Sequence, residues 1–218
     1  MNSSCRYTPR TVDEIARRIV QDIPDGAYVN LGIGQPMVIA NHLPVDREII
    51  IQSENGILGM GPLAVGDEVD SELVNAGKQN VTLLPGGSIF HHGDSFTMIR
   101  GGHLDICVLG AFQVSARGDL ANWRTPDSDA IPAVGGAMDL AQGAKQVFVM
   151  MEHRTRQGQS KLVERCSYPL TGAGVVDRIY TDLATLAVVP LGLRVVDRVP
   201  GLSHAELEDL SQLQLMEA

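Results

Sequence analysis

The chain has 218 residues, 44% of them hydrophobic and 20% charged, with a formal net charge of −9. That length fits one large domain, taken here as residues 1–218 with 1–10 flexible. The acidic balance argues against broad binding to nucleic acid or anionic membranes but leaves room for one basic pocket. No apolar run approaches the ~18 residues of a membrane span, and Met1–Arg6 lacks the apolar core of a secretory signal.

Thr11 and Glu14 form a capping box for a first helix, with Val12, Ile15, Ala16, Ile19 and Val20 at helical spacing and Pro24 and Gly26 closing it. Tyr28 to Leu31 predicts a short strand. Gly32-Ile33-Gly34-Gln35-Pro36 then leads into a helix near Met37 to Asn41, Pro36 suiting its first position. A strand, a glycine loop and a helix start make either a ligand cradle or a plain turn, and the residues favour neither. Glu48 to Ile51 predicts a strand buried on both faces, Ala64 to Ser71 an acidic exposed stretch, and Val81 to Leu84 a strand closed by Pro85-Gly86-Gly87-Ser88. Asp94 to Ile99 predicts a short helix capped by Asp94, and Leu104 to Phe112 a buried strand. Gly135 to Ala144 predicts a helix, Gln146 to Met151 a strand, and Thr155 to Ser160 a polar surface turn. Asp177 to Leu183 and Ala184 to Val189 predict strands, and Leu191-Gly192 turns the chain into Leu193 to Val196 as a hairpin. A second capping box, Ser203 and Glu206, opens a C-terminal helix. Strands alternating with helices predict an α/β fold with an open, mostly parallel sheet, mixed at the hairpin and flanked by helices.

The most informative stretch is Ile49-Ile50-Ile51-Gln52-Ser53-Glu54-Asn55-Gly56. A buried strand stops at a turn signal, since Asn and Gly both tolerate positive φ. Glu54 therefore sits at the carboxyl end of a strand, where open α/β sheets bind ligands. The continuation Ile57 to Pro62 is apolar and Gly-rich and reads as a loop with no nearby cation. A carboxylate held there is raised in energy and becomes a candidate acid, base or nucleophile. Most glutamates at strand ends are merely solvated or paired, and the apolar flank is what favours the sharper reading.

Ser53-Glu54-Asn55-Gly56 resembles the signature of the second (B) subunit of family I coenzyme A transferases. Asn30-Leu31-Gly32-Ile33-Gly34, Asn75-Ala76-Gly77-Lys78 and Ser95 to His103 share that resemblance, as do Gly118 to Trp123, Gly135 to Asp139 and Pro169 to Gly172. It spans about Thr11 to Gly201. It implies a CoA-transferase/ribose-phosphate-isomerase-like fold, with Glu54 as nucleophile and the backbone of Gly136 as oxyanion donor, although the residues alone favour a packing or capping glycine there. It implies substrate contacts from Asn55, Gly56 and Gly135, and from His91 and His92 in a loop that chooses the acyl group. Coenzyme contacts fall to Gly32 and Gly34, and Arg100 is either such a contact or structural. No tightly bound cofactor is implied, CoA and acyl-CoA being substrates. The implied partner is the family's A subunit, in an A2B2 assembly with the site at the interface. Succinyl-CoA is the implied donor and 3-oxoadipate the favoured acceptor, with acetoacetate or another 3-oxo acid as rival.

Other constellations are weaker. His91-His92-Gly93-Asp94 lacks the i, i+4 spacing of a zinc helix, and no metal is expected. Three scattered cysteines, Cys5, Cys107 and Cys166, suggest a reducing cytoplasm. Cys107 reads as core, and Cys166 has no nucleophile signature around it. A phosphosugar isomerase using Glu54 as base would need a basic phosphate clamp, and a non-catalytic binding module is the third class.

Overall fold

The computed structural model describes residues 7–125 and 134–217. Cys5 lies outside them, as does most of the segment expected to be flexible; Arg10, by contrast, is ion-paired to Asp197.

In chain order the elements are α1 (Val12–Asp22), β1 (Tyr28–Leu31), β2 (Ile50–Ser53), β3 (Ile57–Leu63), β4 (Val81–Ile89), α2 (His92–Arg100), β5 (Ile106–Leu109), β6 (Gln113–Ser115) and β7 (Leu120–Ala121). They continue with α3 (Ala137–Gly143), β8 (Gln146–Met150), β9 (Leu162–Val163), β10 (Arg178–Tyr180), β11 (Ala184–Val189), β12 (Gly192–Arg198) and α4 (His204–Ser211). Both expected capping boxes form, Thr11 with Glu14 and Ser203 with Glu206.

Nine strands make one sheet in the order β12-β11-β10-β8-β5-β1-β2-β3-β4. Its centre, β10-β8-β5-β1-β2, is parallel, and antiparallel pairs extend it at both sides. The mixed α/β sheet with flanking helices is therefore as expected. Apolar runs such as Ile106-Cys107-Val108-Leu109 supply both faces at once, because alternate side chains point to opposite sides. Ile106 and Val108 pack with Ile15 and Ile19 of α1, while Cys107 and Leu109 pack with Ile99 of α2 and Leu140 of α3.

The structure corrects several local expectations. Ile57 to Pro62 is not a loop: it is strand β3, paired antiparallel to β2, with Glu54-Asn55-Gly56 as the turn between them. Strand β4 runs on through Pro85-Gly86-Gly87, which fall where its pairing with β3 shifts register; an edge strand can carry a proline that lacks the ladder N–H. The helix after Gly34 is a 3-10 helix over Gln35–His42. The strand expected over Leu104 to Phe112 ends at Leu109, and a small second sheet, β7-β6-β9, follows Gly110. Its strands are two or three residues long, too short for periodicity to show.

Helix α1 is tied to the far side of the sheet by one ionic chain. Arg18 bridges Asp197 (Nε to Oδ2, 2.5 Å) and Asp22 (Nη1 to Oδ1, 2.9 Å). Asp22 also accepts from Arg178 at 2.6 Å and from the buried Tyr180 hydroxyl at 2.7 Å. Burial pushes the Asp22 carboxyl up, but the Arg18 and Tyr180 hydrogen bonds and the charges of Arg18 and Arg178 outweigh it and hold the group below its ordinary value. Asp197 is held low in the same way by Arg18 and Arg10. Carboxyls depressed in the folded state stabilise it above their unfolded pKa of ~3.9, and that support is lost as pH falls through the lower folded value. Asp22→Ala should therefore cost about 3 kcal/mol in urea unfolding at pH 7, by stranding the Arg178 guanidinium and the Tyr180 phenol and leaving Arg18 with Asp197 alone. The variant should also lose less stability than the parent on acidification below pH ~4, where Asp22 itself would titrate.

Candidate active site

The parallel strands place the site. Going from β1 the chain proceeds to β2 on one side, whereas β5, β8 and β10 lie on the other, so the order reverses between β1 and β5. Ligand crevices form outside the carboxyl ends of strands at such a reversal. A cleft of about 570 Å³ lies there, lined by the residues that follow each strand: Gly32 after β1, Glu54 after β2, Gly110 after β5 and Met151 after β8. Val134 to Ala137, leading into α3, complete that wall. A larger concavity, about 1110 Å³, opens at the opposite, amino-terminal ends of β1 and β2 and contains no candidate site residue.

Glu54 is half-buried and its carboxylate lies against the backbone of Gly136. A Cβ built on Gly136 would stand 2.3 Å from Glu54 Oε2 and 2.9 Å from Phe96 Cζ, so no other residue fits without displacement. Thus two candidates 82 positions apart in sequence (136 − 54 = 82) meet at one point. Burial pushes the Glu54 carboxyl above its ordinary value; the charge of Asp139 adds to this, and that of His92 opposes it.

Below Glu54 runs a buried polar chain. The Asn30 amide donates to Gln52 Oε1 at 2.5 Å, Gln52 Nε2 donates to Ser95 Oγ at 2.6 Å, and Ser53 Oγ accepts the Ala76 N–H at 3.1 Å. These bonds join β1, β2, α2 and the Asn75 loop under the turn. Gly56 makes the turn possible: it has φ +113°, and a Cβ there would lie 2.1 Å from the Phe90 carbonyl oxygen.

The cleft lining brings together Glu54, Gly136, Gly135 and Gly32 of the sequence candidates. The others do not line it. Asn55 is exposed and donates to the Val74 carbonyl at 2.7 Å, which pins the turn to the next loop. Gly34, at φ +98°, precedes the 3-10 helix. His91, not Asp94, caps α2, its Nδ1 accepting the Gly93 N–H at 3.0 Å. His92 packs against Phe96 at a tilt of 52°, with ring centroids 4.9 Å apart. Arg100 makes two bonds to Asp139, at 2.8 and 3.3 Å, and lies over the same Phe96 ring.

Sequence reasoning gave no role to Phe96, Asp139, Gln52 or Asn30. The spacing of His92, Phe96 and Arg100 at i and i+4 was the available signal for one helical stripe; the buried chain had none. Cys107 is buried as expected, and burial with Asp119 pushes the Cys166 thiol up to about 11, away from reactivity. Among the described residues there is no cluster of three or more His, Cys, Asp or Glu side chains fit for a metal ion.

The family model described as coenzyme A transferase matches residues 12–202. The chain belongs to the coenzyme A transferase family. It is 58% identical over 212 residues to the B subunit of the 3-oxoadipate CoA-transferase of Acinetobacter baylyi, covering 97% of this chain and 98% of that one. It is 44% identical over 202 residues to the B subunit of the succinyl-CoA:3-ketoacid coenzyme A transferase of Helicobacter pylori, covering 93% and 97%. Among solved structures, an acyl-CoA transferase from Escherichia coli O157:H7 shares the fold with a TM-score of 0.75 at 18% identity. That match covers 96% of this chain, which spans only 42% of the E. coli chain.

The neighbours of Glu54 make a testable pH dependence. If its ionised form carries the reaction, the acid limb of kcat/KM should lie above the ordinary glutamate value of ~4.3. Asp139→Asn should move that limb to lower pH and His92→Gln to higher pH, read from pH profiles of the assembled enzyme. Limbs that stay in place in both variants would detach Glu54 from the rate.

Proposed function

We propose that this chain is the B subunit of a CoA-transferase that moves CoA from succinyl-CoA to a 3-oxo acid, with 3-oxoadipate the favoured acceptor. The observation that carries the chemistry is the half-buried Glu54 carboxylate against the Gly136 backbone at the carboxyl ends of the parallel strands. The 58%-identical relative named for 3-oxoadipate supports that acceptor over the acetoacetate-type alternative, and the name of the 44%-identical relative supports succinyl-CoA as donor.

Moving CoA between acids without hydrolysis requires intermediates that keep the thioester's transfer potential. Glu54 attacks the acyl-CoA carbonyl; the C–S bond breaks, CoA thiolate leaves and an acyl–glutamyl anhydride remains. The thiolate attacks the Glu54 carbonyl carbon of the anhydride, releasing the first acid as its carboxylate and leaving a glutamyl-CoA thioester. The acceptor carboxylate attacks that thioester, CoA thiolate leaves again, and its attack on the acceptor acyl carbon frees Glu54. No net proton is taken up, and the two halves predict ping-pong kinetics. The Gly136 N–H is the proposed donor to the oxyanions, Gly135 leaving the backbone there open. CoA enters as substrate, with no resident cofactor.

An A subunit is the proposed partner, in an A2B2 enzyme of the cytoplasm. Relatives named as B subunits support it, and so does the larger E. coli chain, more than half of which has no counterpart here. Family membership and the intact Glu54–Gly136 contact favour transfer over the isomerase and binding-module alternatives.

Two experiments test this. Incubating the A–B complex with succinyl-CoA and then borohydride should convert residue 54 to the corresponding alcohol, located by peptide mass spectrometry; an unmodified Glu54 in a complex that turns over defeats the mechanism. Glu54→Gln should abolish turnover and leave thermal stability equal or higher. A carboxyl raised in the folded state contributes stability at low pH that is lost as pH rises through its folded pKa, so near neutrality the charged form is a burden the amide removes.

A further inference from the structure

The far wall of the cleft carries a second feature. It is built by the chain leaving β8, and its lining includes Arg156 and Lys161 together with Glu152. Many basic side chains here are engaged in holding the fold: Arg18, Arg178, Arg100 and Lys145 pair with carboxylates, and Arg47 and Arg198 donate to backbone carbonyls. The side chains of Arg156 and Lys161 make no hydrogen bond or ion pair within the described residues, although the charge of Lys161 is felt at Asp182. In a chain of net charge −9, two cations without a bonded partner stand on the rim of the very cleft that holds Glu54. Glu152 on the same rim leaves an excess of one positive charge, which matches a single carboxylate.

The pair is presented on a braced turn. Arg154 and Ser160 form a bridge, the Thr155 N–H donates to Gln159 O at 2.8 Å, and Arg154 Nε donates to Gly158 O at 2.6 Å. The Lys161 N–H donates to His153 O, and Lys161 O accepts the Val114 N–H from β6, both at 3.0 Å. His153 is itself fixed, its ring nitrogens bonded to Thr181 and Ser211 in the core.

Position decides what this pair binds. Between β2, which Glu54 follows, and β8, which leads to the pair, lie β1 and β5. Three interstrand spacings of ~4.8 Å put those strand ends roughly 14 Å apart. Arg156 and Lys161 follow β8 by six and eleven residues and line the same cleft as Glu54 from the far wall, an arrangement that offers an acid with two carboxyls an anchor at each end.

We propose that Arg156 and Lys161 form a subsite for the remote carboxylate of dicarboxylic acyl groups. The inference rests on the CoA-transfer reading of Glu54 and names what that site selects. One carboxyl of the acid reacts at Glu54 while the other is held by the cations. Succinate and 3-oxoadipate both carry that second carboxylate, so one subsite serves both halves of a ping-pong cycle. Binding at the unreacting end orients the end that reacts. A site built to pair with a charged group discriminates strongly against an analogue that lacks it.

The test uses the A–B complex and the double variant R156Q/K161Q. The ratio of kcat/KM for succinyl-CoA over butyryl-CoA, and for 3-oxoadipate over acetoacetate, should fall at least tenfold, mostly through KM. R156K/K161R should restore most of both ratios. Equal losses for mono- and dicarboxylic acyl-CoAs would assign the cations to the coenzyme phosphates and overturn the proposal, as would unchanged ratios. Calorimetric binding of free succinate should weaken at least tenfold in the double variant, and binding that does not weaken counts against the subsite. That measurement reads the subsite even in a complex that transfers no CoA, so it separates failure of this inference from failure of the CoA-transfer reading.

Discussion

The contact between the Glu54 carboxylate and the Gly136 backbone is what the rest of the molecule is arranged to produce. One partner ends a central strand and the other stands at the head of a helix far along the chain. They meet because residue 136 has no side chain; the first carbon of any other residue would overlap the carboxylate oxygen. The approach brings bare backbone against the carboxylate at the edge of the cleft. Phe96 lies against Gly136 beside it, held between His92 and Arg100, and Arg100 is in turn anchored to Asp139 of α3. Helices α2 and α3 are thus clasped together beside Glu54.

The sheet explains why that contact sits where it does. Five parallel strands send their carboxyl ends to one rim, and the reversal between β1 and β5 lets the following loops diverge and open the cleft. The buried Asn30-Gln52-Ser95 chain crosses beneath it. Such groups cost free energy unless every one is bonded, so their pairing commits β1, β2 and α2 to one register. The glutamate is therefore mounted on a braced turn instead of a free loop.

Much of this was legible from residues alone. Both capping boxes, the central strands and the hairpin at Leu191-Gly192 follow from periodicity and local turn chemistry. Glu54 stood out because a charged group at the end of a buried run conflicts with its surroundings. The errors share a cause. Ile57 to Pro62 contains two glycines and a proline, which read as a loop, yet pairing with both β2 and β4 overrides that preference. His91 displaced Asp94 as cap because either side chain can accept the free N–H groups, and only the path of the chain from β4 decides. The roles of Phe96 and Asp139 depend on α2 lying against α3, and no local pattern encodes that.

The separation of charges along the cleft follows from the same architecture. A cation touching Glu54 would stabilise its ionised form and, on the proposed mechanism, blunt it as a nucleophile. At 4 Å and an effective dielectric constant of 20 the attraction is ~4 kcal/mol, and it falls inversely with distance. Arg156 and Lys161 line the far wall beyond β8, make no ion pair with Glu54 and are not among the charges that shift it, so on the proposed reading they hold the far end of an anionic substrate without quenching the carboxylate. The net influence left on Glu54 is upward, from burial and Asp139 against His92. On the proposed mechanism, the width of a parallel sheet lets one cleft attract an acid and keep its nucleophile reactive, two demands that a smaller site would set against each other.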